Sequence, residues 1–226
     1  MWAFLHGFGS DRKGAKATAF RAAAQAEGAT FVAIDFRGHG ESPGSMADLT
    51  LSRMLEDVDA LASEVAPRGT RLVLVGSSLG GLAAAWWASR NPERVAAAVL
   101  VAPAFGFLPR FLAEIGPVAA AAWEKGGVLA YQNEWMDVPL RFGLVTDGRA
   151  YDEAGLSAAY RTDTLILHGL RDERVPWPTS VEFVSRCPHR PSDVVLLGDG
   201  DHRMQGRVDD LARLAREFAS SRWPRR

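Results

Sequence analysis

Apolar residues along the chain follow two alternating patterns. Short, almost uninterrupted apolar runs occupy positions 2–5, 30–34, 71–75, 95–101, 164–167 and 194–197. Between them lie longer stretches in which apolar residues recur every three or four positions. The clearest is 50–66, with Leu51, Leu55, Val58, Leu61 and Val65 on one face and Pro67 as the stop. Residues 15–27 are Ala-rich and end at Gly28, 79–91 end at Pro92, and 179–186 form a shorter helical stretch. The closing stretch 208–220 turns Leu211, Leu214, Ala215 and Phe218 inward. Strands that are apolar on both faces are covered on both faces. Their alternation with helices predicts an α/β protein with an all-parallel sheet of about six strands flanked by helices.

The rhythm breaks between Ala102 and Arg161. This interval is too long for a single crossover, and it carries Phe105, Phe107, Phe111, Trp123, Tyr131, Trp135, Phe142 and Tyr151. Its pattern predicts a helix over 109–123 and two short extended segments, 128–131 and 140–146. The expected organisation is a core of residues 1–103 and 161–226 with a lid, 104–160, inserted into it. The competing reading is a peripheral insertion that touches no site.

Composition narrows the classes. A chain of 226 residues is one large domain or a domain with an insertion. Lys+Arg total 26 against 27 Asp+Glu, a net charge of -1, which excludes a strongly basic nucleic-acid binder. A single cysteine, Cys187, excludes a disulfide framework and a thiolate metal site. No apolar run reaches the roughly 18 residues of a membrane span. The first apolar run begins at Met1 with no basic or transit-like segment before it, so the expected location is cytoplasmic.

The strongest chemical signal is Gly76-Ser77-Ser78-Leu79-Gly80, a G-x-S-x-G match between an apolar strand and a helix. In that setting a serine sits on a sharp turn with its hydroxyl above the sheet. Ser77 does not qualify, because Val75 occupies the place of the leading glycine. A serine at neutral pH needs an adjacent base. Of the five histidines, His6 and His168 at strand ends and His39 in a Gly-rich turn come too early for the order serine, acid, histidine. His189 and His202 remain, and only His202 follows a strand directly. His6 and His168 are read as polar residues that stabilise turns. For the acid that orients the imidazole, Asp172 follows the fifth strand, with Glu173 as its rival. Asp199 and Asp201 are read as loop caps. Donors for a developing oxyanion are expected from the backbone N–H of Leu79, at the start of a helix, and of Phe8, in the turn His6-Gly7-Phe8-Gly9.

These segments, with Leu167-His168-Gly169-Leu170-Arg171-Asp172-Glu173-Arg174-Val175-Pro176-Trp177 and Asp201-His202-Arg203-Met204, resemble the α/β-hydrolase superfamily. Within it they are most similar to the family of acyl-protein thioesterases and acyl-glucuronide esterases typified by α/β-hydrolase domain-containing protein 10. The likeness spans nearly the whole chain and is weakest in the lid. It implies an α/β-hydrolase fold and hydrolysis of carboxylic esters or thioesters, with Ser78, Asp172 and His202 on the triad positions. Superfamily members usually begin with an antiparallel hairpin before the first parallel strand, and this chain has no residues for one, so the reduced six-stranded sheet is expected. The family's mitochondrial address finds no support in the sequence.

The expected partner is a small-molecule or acyl-chain ester or thioester, with no metal, organic cofactor, nucleic acid or membrane span. A carbon–carbon hydrolase, a peptidase or a perhydrolase would use the same triad. A ligand-binding relative that has lost catalysis is the reading from another class. Trp123, Tyr131 and Trp135 are the lid residues expected to line an apolar acyl pocket, with a core position as the competing reading of each, and Arg203, beside His202, is read equally as meeting an anionic substrate group or as covering a surface.

Overall fold

The computed structural model describes residues 1–67, 69–133, 136–188 and 192–222. The first half of the chain runs β1 (Trp2–Leu5), α1 (Ala15–Ala26), β2 (Phe31–Ile34), α2 (Leu51–Val65), β3 (Leu72–Ser77), α3 (Leu79–Arg90) and β4 (Val95–Val101). The segment after it holds α4 (Phe107–Glu124), β5 (Val128–Asn133), β6 (Met136–Arg141), α5 (Gly143–Gly148) and α6 (Glu153–Ala159). Alternation then resumes with β7 (Thr164–Gly169), α7 (Pro178–Arg186), β8 (Ser192–Leu197) and α8 (Val208–Arg222).

Six strands form one parallel sheet in the order β2-β1-β3-β4-β7-β8. This is the α/β-hydrolase architecture in the expected reduced form. The chain winds outward in one direction through β1 and β2, then in the other from β3 through β8. The reversal lies between β1 and β3, where a doubly wound sheet opens a crevice at its carboxyl edge. Registers align that edge: Leu5 pairs with Gly76, Gly76 with Leu100, and Val101 with Leu167.

The pleat divides the core in two. Trp2, Phe4, Val73, Val75, Val99, Leu165 and Leu167 pack with Phe20 of α1 and with Leu211, Ala215 and Phe218 of α8. Their neighbours in sequence, Ala3, Leu5, Leu72, Leu74, Leu100 and Ile166, face the other way, toward α2, α3 and Phe183 of α7. Each fully buried Leu or Phe is worth about 1.5–3 kcal/mol, so these two faces carry most of the sheet's stability. Thr50 caps α2 by accepting the Arg53 N–H on its hydroxyl at 3.2 Å, which fixes the start read from the periodicity.

Residues of the segment between β4 and β7 continue the second core layer. Phe111, Trp123, Tyr131, Leu140, Leu144 and Tyr160 are all buried in it. Two local expectations are corrected. The helix expected over 109–123 spans Phe107–Glu124 but breaks at Gly116, which adopts φ 78 and ψ 161 before Pro117, a residue with no N–H for the helix. The second extended segment is Met136–Arg141 rather than 140–146. It pairs antiparallel with β5, placing Leu140 opposite Leu129, and the chain then turns into α5 with the Val145 and Thr146 N–H groups donating to the Phe142 carbonyl. Short apolar runs such as Leu144-Val145 do not distinguish strand from helix by period. The segment is tied to α2 by the Ser52 N–H donating to Asp147 at 3.0 Å and by a 2.7 Å hydrogen bond between the Ser52 and Tyr151 hydroxyls. Among the described residues no helix is long and apolar enough to cross a membrane.

Candidate active site

The turn from β3 to α3 is a strained backbone held from both sides. Ser78 has φ 53 and ψ −119, a region costly for a residue with a side chain. Its N–H donates to the Val101 carbonyl at 2.8 Å, and its own carbonyl accepts the Ala104 N–H at 3.0 Å. The glycines of the motif are steric requirements. A Cβ on Gly80 would lie 2.2 Å from the His6 carbonyl oxygen, and one on Gly76 would lie 2.5 Å from that of Gly80. The half-buried Ser78 hydroxyl therefore stands at the carboxyl edge of the sheet, while Ser77 is buried as the last residue of β3.

His202 lies on the loop after β8. The Ser78 hydroxyl donates to His202 Nε2 at 3.0 Å, and His202 Nδ1–H donates to Asp172 Oδ2 at 2.8 Å. Asp172 is buried in the loop after β7, and its other oxygen accepts the N–H groups of Arg174 at 2.9 Å and Val175 at 2.8 Å. Burial opposes its ionisation. Hydrogen bonds from His168 and His202, electrostatic attraction to His202 and the Val175 N–H outweigh that and hold the carboxyl well below the usual carboxylate range. Glu173, the rival acid, is exposed. Asp199 pairs with Arg207, and Asp201 accepts the Met204 N–H at 2.6 Å, so both serve their own loop. His189 lies outside the described residues.

The remaining histidines differ from one another. His6 Nδ1–H donates to the Gly7 carbonyl at 2.8 Å, and Nε2 accepts the Phe36 N–H at 3.0 Å. Burial pushes its pKa down to about 4, with the Gly7 carbonyl and nearby carboxylates opposing, so the ring is neutral and pins the loop that carries Phe8. His39 packs 5.1 Å from the His6 ring. His168 does more than stabilise a turn. It is fully buried and hydrogen bonds to Asp172 Oδ2 at 3.1 Å and to the Ser180 hydroxyl at 2.7 Å. The available signal was its spacing of four residues from Asp172.

Ser78 and His202 lie between two cavities. One, of about 200 Å³, is bordered by Ser10, Asp11, Lys16, Gln205 and Arg203. The other, of about 130 Å³, is bordered mainly by Leu79, Phe107, Phe111, Tyr131 and Val175, with Arg110 and Arg174 at its polar side. Phe8 and Met136 border both. Leu79 and Phe107 also border a third cavity of about 200 Å³ that runs toward Trp86 and Leu144. Leu79 opens α3, where the first amides lack partners within the helix. Of the three lid residues expected to line a pocket, Tyr131 does so and Trp135 lies outside the described residues. Trp123 is placed elsewhere: its indole N–H donates to the Leu140 carbonyl at 2.7 Å and its rings pack on Phe111 and Phe142. An indole in a residue only 2% exposed needs such a partner, which makes Trp123 a core residue of the segment.

Residues 2–136 match the model of the Hydrolase_4 family, described as serine aminopeptidase, S33. A palmitoyl-protein thioesterase ABHD10, mitochondrial, from Mus musculus is 29% identical over 216 residues, covering 91% of this chain and 70% of the relative. The structure of mouse alpha/beta hydrolase domain-containing protein 10 superposes with a TM-score of 0.85 at 27% identity, covering 97% of this chain and 89% of that one. A structure from Agrobacterium vitis S4 superposes with a TM-score of 0.86 at 28% identity, covering 96% of this chain and 87% of that one. The cytoplasmic location expected from the sequence is corrected by these comparisons: the mammalian relatives that span 91% of this chain are named as mitochondrial proteins.

Proposed function

We propose, for a chain that belongs to the Hydrolase_4 family, that it hydrolyses carboxylic esters or thioesters through an acyl-enzyme on Ser78. The observation that carries this reading is the unbroken hydrogen-bonded series from Ser78 through His202 to Asp172. Ester and thioester hydrolysis accords with the named activity of the thioesterase relatives.

In this mechanism Ser78 Oγ attacks the acyl carbon as its proton passes to His202 Nε2. Asp172 holds Nδ1–H in place, so Nε2 is the free base, and it stabilises the imidazolium that forms. The carbonyl oxygen becomes an oxyanion, which accepts hydrogen bonds from the N–H groups of Phe8 and Leu79. The imidazolium then gives its proton to the departing alkoxide or thiolate. Water repeats the sequence on the acyl-enzyme, with His202 again as base, and releases the acid.

In this reading each half of the substrate takes one of the two cavities. The acyl chain occupies the side bordered by Leu79, Phe107, Phe111 and Tyr131, and the leaving group takes the side bordered by Lys16 and Arg203. The segment 104–160 thereby acts as a lid that sets acyl preference. Tyr131 stacks on Phe8 with ring centroids 6.0 Å apart. Tyr131→Ala should shift preference toward longer chains by about tenfold in kcat/KM, because one methylene in an apolar pocket is worth roughly 1–3 kcal/mol. Trp123→Ala should instead cost about 3–5 kcal/mol of stability without moving that preference. Two-, four-, eight- and twelve-carbon p-nitrophenyl esters, assayed beside the matching acyl thioesters and a thermal melt, test both. An enzyme that turns over neither class would refute the proposed activity, and an unchanged profile in Tyr131→Ala would refute the lid.

A further inference from the structure

We propose that His168 is a positioning residue for this reaction: through Asp172 Oδ2 it holds the carboxylate and moderates its pull on His202. The inference rests on the Ser78 mechanism above. Its basis is that two imidazoles share one carboxylate oxygen, His202 Nδ1 at 2.8 Å and His168 Nε2 at 3.1 Å.

The protonation of His168 follows from its neighbours. Nε2 faces two acceptors, Asp172 Oδ2 and the Val175 carbonyl at 3.0 Å, so Nε2 carries the hydrogen. In the neutral ring Nδ1 is then an acceptor, and it faces the Ser180 hydroxyl at 2.7 Å. Both His168 and Ser180 are fully buried. The ring is thus oriented from α7 and delivers a fixed donor to Asp172. With the Arg174 and Val175 N–H groups on Oδ1, the carboxylate has four donors and no freedom to rotate.

The same strand end supports the loop that carries His202. A Cβ on Gly169 would lie 2.1 Å from the Gly200 carbonyl oxygen, so that loop rests directly on the residue after His168. The Arg171 N–H closes the contact by donating to the Gly200 carbonyl at 2.9 Å. His168, Asp172 and the His202 loop therefore form one packed unit.

A donor on Oδ2 draws off part of the negative charge that His202 would otherwise receive. Without it, the imidazolium of His202 gains stability relative to the neutral base. Among the described residues, the charged and titratable groups that face Asp172 are His168 from β7, His202 from the loop after β8, and Arg110 from α4, and the cavities beside His202 add Asp11, Lys16, Glu114, Arg174 and Arg203. Only His168 and His202 are hydrogen bonded to it by side chain among the described residues.

The test is the pH profile of kcat/KM for a short p-nitrophenyl ester in His168→Leu and His168→Gln. Its acid limb reports the base that must be free when Ser78 loses its proton. Leu removes the donor. The acid limb should move up by roughly 0.5–1 pH unit, and kcat should fall about tenfold with KM within about twofold. Gln places an amide N–H as many bonds from Cβ as Nε2 is, and should restore both. A purely structural role would lower activity without moving the limb. If His168→Leu does not fold, Ser180→Ala carries the test, since it frees the ring and should give a smaller upward shift. An unmoved limb in whichever of these variants folds would overturn the inference. Wild-type turnover that persists in Ser78→Ala would instead overturn the mechanism beneath it.

Discussion

Ser78→Ala is expected to abolish ester and thioester turnover, a loss on the order of 10⁶ in kcat, while the protein stays folded. The substitution removes the hydroxyl oxygen and its 3.0 Å hydrogen bond to His202 and nothing else. Position 78 already holds a positive φ with a Cβ present, so alanine adds no new backbone strain. The hydroxyl is half-buried and its partner, His202, keeps its bond to Asp172. The stability change should therefore stay within about 1 kcal/mol. Ser77→Ala, one residue earlier in β3, should keep activity. Rates of p-nitrophenyl acetate hydrolysis paired with thermal melts decide the matter. Turnover at the wild-type rate in Ser78→Ala would remove Ser78 from the mechanism.

Asp172→Asn should lower kcat by a factor on the order of 10²–10⁴ with a much smaller change in KM. The geometry explains why so small a change does so much. Oδ1 of Asp172 accepts two backbone N–H groups, so the amide oxygen of asparagine takes that place. Its NH2 then faces His202 Nδ1 and His168 Nε2, both of which are donors in the wild-type arrangement. To avoid donor against donor, His202 adopts the other tautomer and turns an N–H toward Ser78, where the proposed mechanism calls for a lone pair. Glu173→Gln, on an exposed side chain, should be mild. Stability changes in the same comparison have a definite sign. The folded-state pKa of Asp172 is depressed, so its ionised form stabilises the native protein above the unfolded carboxylate range, near pH ~3.9. That contribution is lost as pH falls through the folded-state value. The stability gap between wild type and Asp172→Asn should accordingly narrow as solutions are made more acidic than about pH 4.

Much of this arrangement is legible in the chain because local signals and tertiary roles coincide. The apolar runs that became β1, β3, β4 and β7 are apolar for the reason they are central: helices cover both of their faces. The Gly76 to Gly80 motif is legible because steric contact leaves no alternative to glycine at its ends. The order serine, acid, histidine then picks out Asp172 and His202 as candidates, and the structure places them within hydrogen-bond reach of one another and of Ser78.

What was not legible depended on contacts between distant parts of the chain. The period of an apolar run cannot reveal that Leu140 pairs with Leu129, nor that Gly116 and Pro117 interrupt α4. Trp123 looks like a pocket aromatic in sequence, and only the Leu140 carbonyl, 17 residues away, shows it to be a buried anchor. In sequence His168 looks like a polar residue that stabilises a turn. Its contact with Ser180 on α7 is what distinguishes it.

The most direct test of the account is covalent labelling of the intact protein with a fluorophosphonate, followed by peptide mapping. The hydrogen-bonded series at Ser78 predicts one adduct, on the peptide that carries Ser78, formed in step with the loss of ester turnover. Ser78→Ala should remove the adduct, and His202→Ala should slow its formation severely. Full loss of turnover with the adduct on another serine, or undiminished turnover in protein fully labelled at Ser78, would contradict the account.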